Sequence, residues 1–255
     1  MDVTMRDARF DVRGSRIRWT ESEGVGPARV YVHGLGAASA AYHAHIAARP
    51  ELAGRRSLFL DLPGHGLSDR PADFGYTLED HADAVAAALE GARAHGAELI
   101  AHSMGGSVAI VLAHRRPDLV SRLVLTEANL DPAPAETAGS SRIAVYEEEQ
   151  FVKEGHARVL EQAGPVWAAT MRLADPRALH RSATGLVRGT DPTMRVMLMG
   201  LSVERVFLQG ALSGELVGHD ELVASGVRVV TVPGAGHNVM LDNATAFAAA
   251  VAGRV

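Results

Sequence analysis

The sequence predicts an α/β protein: a mostly parallel sheet of about eight strands flanked by helices, with a helical cap inserted late in the chain. Three observations carry this. Short aliphatic or β-branched runs recur and end at loops rich in Gly, Pro, His or Asp. Longer helix-compatible stretches separate those runs, as crossover connections between parallel strands require. With 255 residues, 47% of them hydrophobic, the chain can bury one sizeable core and sits toward the upper end for a single domain.

In chain order, the alternating segments ARFDV (8–12) and RIRWT (16–20) read as an antiparallel hairpin at the sheet edge. The runs ARVYV (28–32), SLFLD (57–61), ELIAH (98–102), RLVLT (122–126), RVFLQ (205–209) and VRVVTV (227–232) read as buried strands. Leu78 to Ala94 and Met104 to Arg116 are helix-compatible crossovers. The alternation fails from 132 to 202, where PAPAETAGSS gives way to helix-compatible segments around Trp167, Met171, Met194, Met197 and Met199. That span reads as the cap, leaving 1–131 and 203–255 as the core. Its methionines read first as gap-filling core residues, and an apolar cap can also line a substrate pocket.

A formal net charge of -5 and a pI near 6.2 provide no overall basic field for nucleic acid or an anionic membrane. The absence of cysteine excludes disulfides, thiolate metal sites and a cysteine nucleophile. MDVTMRDARFDVR carries charges where a signal peptide needs an apolar stretch, and no later apolar run approaches a membrane span, so a cytoplasmic address is expected. In that setting the sequon at Asn243 reads as chance. A homodimer is left open.

The chemistry centres on Leu99-Ile100-Ala101-His102-Ser103-Met104-Gly105-Gly106, an apolar strand ending at a serine with small residues two positions to either side. A sharp strand-to-helix turn forces its serine into strained backbone geometry and needs such small neighbours. The stretch resembles the Gly-x-Ser-x-Gly elbow of the α/β-hydrolase superfamily, with Ala101 in place of the first glycine. Val30-Tyr31-Val32-His33-Gly34-Leu35-Gly36 resembles the same family's His-Gly loop, which implies an oxyanion hole formed by the Leu35 and Met104 amides, with His33 tying the loop. Asp61-Leu62-Pro63-Gly64-His65-Gly66-Leu67-Ser68-Asp69 is similar to the family's D-x-P-G-x-G-x-S turn and reads as structural. Val232-Pro233-Gly234-Ala235-Gly236-His237 is similar to its terminal Gly-His loop, which implies His237 as the base for Ser103.

The acid is the open member. The family most often places it after the strand corresponding to RVFLQ, where this chain has Ser213 near the expected aspartate. A minority, including the zearalenone-lactone hydrolases, carries it at the end of the preceding strand, and RLVLT runs directly into Glu127. Glu127 is the favoured acid on that resemblance, with Asp131, Glu215 and Asp220 as alternatives.

No cofactor or metal is expected: His43 and His45 diverge on a helix, H-E-x-x-H is absent, and no G-x-G-x-x-G is completed around Gly34 and Gly36. Glu147-Glu148-Glu149 reads as a solvated helix face. The resemblance implies a serine hydrolase that cleaves an ester, lactone or thioester of a medium-sized hydrophobic small molecule through an acyl-enzyme. Its serine argues against epoxide or haloalkane chemistry, for which the family uses aspartate. Carbon–carbon bond hydrolysis and perhydrolysis share the triad. A non-catalytic small-molecule binder, and an acyl transferase or cyclase, are the alternatives on the same fold.

Overall fold

A computed structural model describes residues 3–134 and 140–254; Ala135 to Gly139, inside the PAPAETAGSS stretch, lie outside the described residues. Eight strands form one sheet: β1 (Val3–Arg9), β2 (Arg16–Ser22), β3 (Val25–Val32), β4 (Arg55–Asp61), β5 (Ala97–His102), β6 (Val120–Thr126), β7 (Glu204–Gly210) and β8 (Arg228–Val232). Their spatial order is β1-β2-β4-β3-β5-β6-β7-β8. Pairing is antiparallel for β1 with β2 and for β2 with β4, and parallel from β4 to β8.

The central strands are apolar without interruption because both sheet faces are covered. Val30, Val32, Leu58, Leu60, Leu99 and Leu123 belong to one buried cluster. Their alternating neighbours Tyr31, Phe59, Ile100 and Val124 belong to the other. The first cluster is closed by α2 (Leu78–Gly91), through Leu78, Val85 and Leu89, and by α3 (Met104–Arg115), through Val108 and Leu112. The second is closed by α1 (Ser39–Ala47) and α11 (Ala244–Val251), through Tyr42, Ile46, Phe247 and Val251. Among the described residues, no helix is long and apolar enough to cross a membrane.

Between β6 and β7 the chain is helical, with α4 (Glu148–Gln150) continuing through a π-helical turn, Phe151–Gly155, into α5 (His156–Gln162). Then come α6 (Pro165–Met171), α7 (Pro176–Arg188) and α8 (Met194–Gly200). Met171, Leu179, Leu186, Met194 and Leu198 from this segment are buried in the same cluster as Val30 and Leu99, so the helical segment and the sheet share one apolar core. The small helices α9 (His219–Ala224) and α10 (Val239–Asp242) flank β8.

Two local expectations differ from the structure. The hairpin forms, but its first strand is Val3–Arg9, and ARFDV falls largely in the turn. There Asp11 accepts from the amides of Arg13 at 3.0 Å and Ser15 at 2.8 Å, and that local turn ends the strand. The acidic run is not simply solvated either. Glu148 binds Arg177 and Arg181 of α7, whose guanidinium groups hold its carboxyl down at about 2.

Candidate active site

The C-terminal ends of the parallel strands, where ligands bind in open α/β sheets, converge on a cavity of about 980 Å³. Ser103 stands between β5 and α3 with φ 52 and ψ -124, a conformation costly for any non-glycine residue. The turn is held by the Ser103 amide on the Thr126 carbonyl at 2.8 Å and by the Gly106 amide on the Ser103 carbonyl at 2.8 Å. Gly105 explains the need for a small residue: a Cβ there would overlap the His33 carbonyl oxygen and sit 2.8 Å from that of Val32.

Ser103, Glu127 and His237 all line the cavity. Glu127 follows β6 with φ 50, its amide on the Leu208 carbonyl at 3.0 Å. Its Oε1 accepts the Gly210 N–H at 2.7 Å, and its Oε2 lies 3.6 Å from His237 Nδ1. That second separation is longer than a hydrogen bond, and contacts of this kind commonly tighten only with substrate. Burial pushes the Glu127 carboxyl up, but the His237 imidazole, the Gly210 amide and the Ser213 hydroxyl outweigh it and hold the group below its ordinary value. Glu127 is therefore an anion at neutral pH. Ser213, near the position where the family most often has its aspartate, brings its hydroxyl toward this carboxylate and helps hold it ionised.

Of the other acids, Asp131 and Glu215 also border the cavity, and Asp220 does not. Asp131 forms a two-pronged pair with Arg195, at 2.9 Å to Nε and 2.7 Å to Nη2. Glu215 is exposed at the cavity wall, and Asp220 is fully exposed beside His219.

The loop after β3 supplies Leu35. Among the described residues, neither its amide nor that of Met104, the first residue of α3, is bonded to a protein acceptor. His33 is wholly buried, its Nε2 accepting the Leu62 N–H at 3.0 Å and its Nδ1 donating to the Gly34 carbonyl at 2.7 Å. Burial lowers its pKa to about 4, so the ring is neutral and ties the loop.

Sequence reasoning missed His102. Its Nε2 donates to the His237 carbonyl at 2.9 Å, its ring centroid lies 4.8 Å from that of His237, and burial drives its pKa well below the ordinary imidazole value. His102 thus fastens the His237 loop to the turn that carries Ser103. Its adjacency to Ser103 was the available signal, but nothing in the sequence shows which carbonyl it meets. The contacts of Trp167 and Thr170 on α6 with the Leu35 loop were also missed, although Trp167 had been singled out as a cap residue. Met171, Met194 and Met197 are core residues and do not line the cavity. Among the described residues, no group of three or more His, Asp or Glu is placed to hold a metal ion.

A family model for the alpha/beta hydrolase fold matches residues 28–150. The chain is 29% identical over 240 residues to a 2-(acetamidomethylene)succinate hydrolase of Mesorhizobium japonicum, covering 85% of this chain and 84% of the relative. It is 37% identical over 103 residues to a 2-hydroxymuconate semialdehyde hydrolase of a Pseudomonas species, covering 40% of this chain and 36% of the relative. A thermophilic esterase from Thermogutta terrifontis superposes with a TM-score of 0.79 at 20% identity, covering 97% of this chain and 96% of the other, which is a likeness of fold.

Proposed function

We propose that this chain, which has the α/β-hydrolase fold and matches that family's model over residues 28–150, is a serine hydrolase that cleaves an ester, lactone or thioester of a medium-sized hydrophobic substrate. The observation that carries the reading is the strained Ser103 turn opening onto the same cavity as a His237–Glu127 pair.

In this reading Ser103 Oγ attacks the carbonyl carbon and passes its proton to His237 Nε2. Glu127, beside Nδ1, keeps the imidazole in the tautomer that can accept that proton and stabilises the imidazolium. The carbonyl oxygen becomes an oxyanion as the tetrahedral centre forms, and the Leu35 and Met104 N–H groups receive it, a contribution worth about 10²–10³ in turnover per donor. Collapse of that centre breaks the bond to the alcohol or thiol, which takes the proton from His237. Water, deprotonated by His237, then releases the acid and restores Ser103.

The substrate class is drawn from the walls. Leu35, Trp167, Leu186, Phe207 and Leu216 line the cavity, with Val217 exposed at its edge. A cavity of about 980 Å³ admits an acyl or alcohol portion of drug-like size. The helical segment 132–202 contributes Trp167 and Leu186 and is proposed as the cap that selects substrates. The test is covalent labelling by a fluorophosphonate probe together with turnover of p-nitrophenyl esters of increasing chain length. Labelling at Ser103, lost in Ser103→Ala along with turnover, is the expected result. An unlabelled protein at saturating probe would favour a non-catalytic binder.

A further inference from the structure

We propose that Trp167 and Thr170 on α6 are positioning residues for the oxyanion loop, so that the seating of the helical segment, rather than the sheet alone, makes the site competent. The proposal rests on the reading of the Leu35 amide as an oxyanion donor.

Three consecutive peptide units follow His33, and each carbonyl is held from behind. The Gly34 carbonyl, which shares its peptide plane with the Leu35 N–H, accepts from His33 Nδ1 at 2.7 Å and from the Ala37 amide at 3.1 Å. The Leu35 carbonyl accepts Trp167 Nε1–H at 2.8 Å, and the Gly36 carbonyl accepts the Thr170 hydroxyl at 3.0 Å. The core therefore holds the first plane, and α6, more than 130 residues away in sequence, holds the next two.

Gly36 sits between the two α6 contacts with φ +68, and a Cβ there would come within 2.8 Å of Trp167 Nε1. The loop is thus glycine-flexible where α6 touches it, and external bonds must supply the rigidity that its own backbone lacks. Thr170 is 5% exposed, and its hydroxyl, nearest the Gly36 carbonyl at 3.0 Å, also lies 3.3 and 3.2 Å from the Val166 and Trp167 carbonyls of its own helix, which aim it at the loop. Trp167 is indole N–H donor and cavity wall at once. An oxyanion donor works only within a few tenths of an ångström of its target, and a misplacement of about 1 Å costs on the order of 10²-fold. Withdrawing α6 would leave the Leu35 carbonyl without its indole donor and the Gly36 plane held only through the Ala37 amide, so the backbone immediately after the Leu35 amide would lose two of its supports.

The experiment compares Trp167→Phe, which keeps an aromatic wall but removes the N–H, with Thr170→Val, which removes the hydroxyl, and with Thr170→Ser, which retains it. Turnover of a small p-nitrophenyl ester is measured beside binding of phenylboronic acid, which forms a tetrahedral adduct on serine, and of a carboxylic acid product. We expect kcat to fall about tenfold in Trp167→Phe and Thr170→Val, boronate affinity to fall by the same factor, and product affinity to stay within about twofold; Thr170→Ser should restore kcat. Wild-type kcat and boronate affinity in a folded Trp167→Phe would overturn the proposal, as would a loss expressed wholly in KM and product binding, since the indole would then be a substrate contact. Should Thr170→Val not fold, Trp167→Phe alone decides. Turnover that survives Ser103→Ala marks a separate failure, that of the serine mechanism itself.

Discussion

Mild acid should destabilise this protein, because it buries histidines that have no room for a second proton. His33, His43 and His65 are fully buried, and burial is the largest cause lowering them to about 4, about 3 and about 3, with His81 and His102 also well below the ordinary value. His43, His65, His81 and His102 each leave one ring nitrogen buried without a partner. The unfolded chain binds protons at these positions below about pH 6.5, whereas the folded chain does not until far lower pH. Stability is therefore complete above pH 6.5 and falls as the pH drops from there toward 4. At pH 5.5 each such group costs about 1.4 kcal/mol, so the first three together cost about 4 kcal/mol, a large part of the 5–15 kcal/mol typical of a folded domain. His81 and His102 add in the same sense. Paired carboxylates such as Glu148 weaken only below their ordinary range near 4.5, so the window from 6.5 to 5 belongs to the histidines. Urea unfolding at pH 7.5, 6.5, 6.0 and 5.5 measures the effect, with the midpoint expected to drop steadily below 6.5. A stability change under about 1 kcal/mol between pH 7.5 and 5.5 would refute the argument that these rings stay neutral in the fold.

Three further outcomes are expected. Glu127→Gln should lower kcat by about 10³–10⁴ with an unchanged melting temperature, whereas Asp131→Asn, Glu215→Gln and Asp220→Asn keep turnover within about tenfold; collapse of one of the latter beside an active Glu127→Gln would move the acid elsewhere. Glu98→Gln should destabilise the fold by about 3 kcal/mol in urea titrations, since Glu98 holds Arg29 at 3.1 Å and Arg55 at 2.7 Å, with Arg122 at 3.8 Å, and Arg29 and Arg122 are buried. Replacing 132–202 by a short linker should give an unfolded chain by circular dichroism, because it strips Met171, Leu179, Met194 and Leu198 from the shared core; a folded, cooperative product would show that the segment is a separable lid.

What could be read from the residues tracks where the information is local. Runs such as Val30-Tyr31-Val32 and Leu123-Val124-Leu125 were legible because a strand buried on both faces has no polar alternative. The first strand was displaced for the opposite reason: β1 is an exposed edge whose VTMRDAR sequence shows no buried face, and only its pairing with β2 defines it. Ser103 and His237 stand out because the turns that present them are encoded within a few neighbouring residues. Glu127 was legible by position, at the end of a strand, and the structure brings it to the His237 ring. The grip of Trp167 and Thr170 on the Leu35 loop was not legible, since it depends on the path of a long helical segment whose docking no short-range pattern encodes. The same holds for His102, whose partner lies 135 residues away.

In the proposed mechanism the acid stands just after β6, which has a consequence for the loop that follows β7. In the layout most common in the family that this chain resembles, that loop carries the acid. In the proposed mechanism that loop instead supports Glu127, through the Gly210 amide at 2.7 Å and the nearby Ser213 hydroxyl. On that reading the remainder, from Gly214 to Gly218, takes no part in proton chemistry, while Glu215, Leu216 and Val217 border the cavity. This short stretch is the natural place to graft new side chains or extra length and redraw what enters, because the reacting groups would be standing on other strands and would not feel the change.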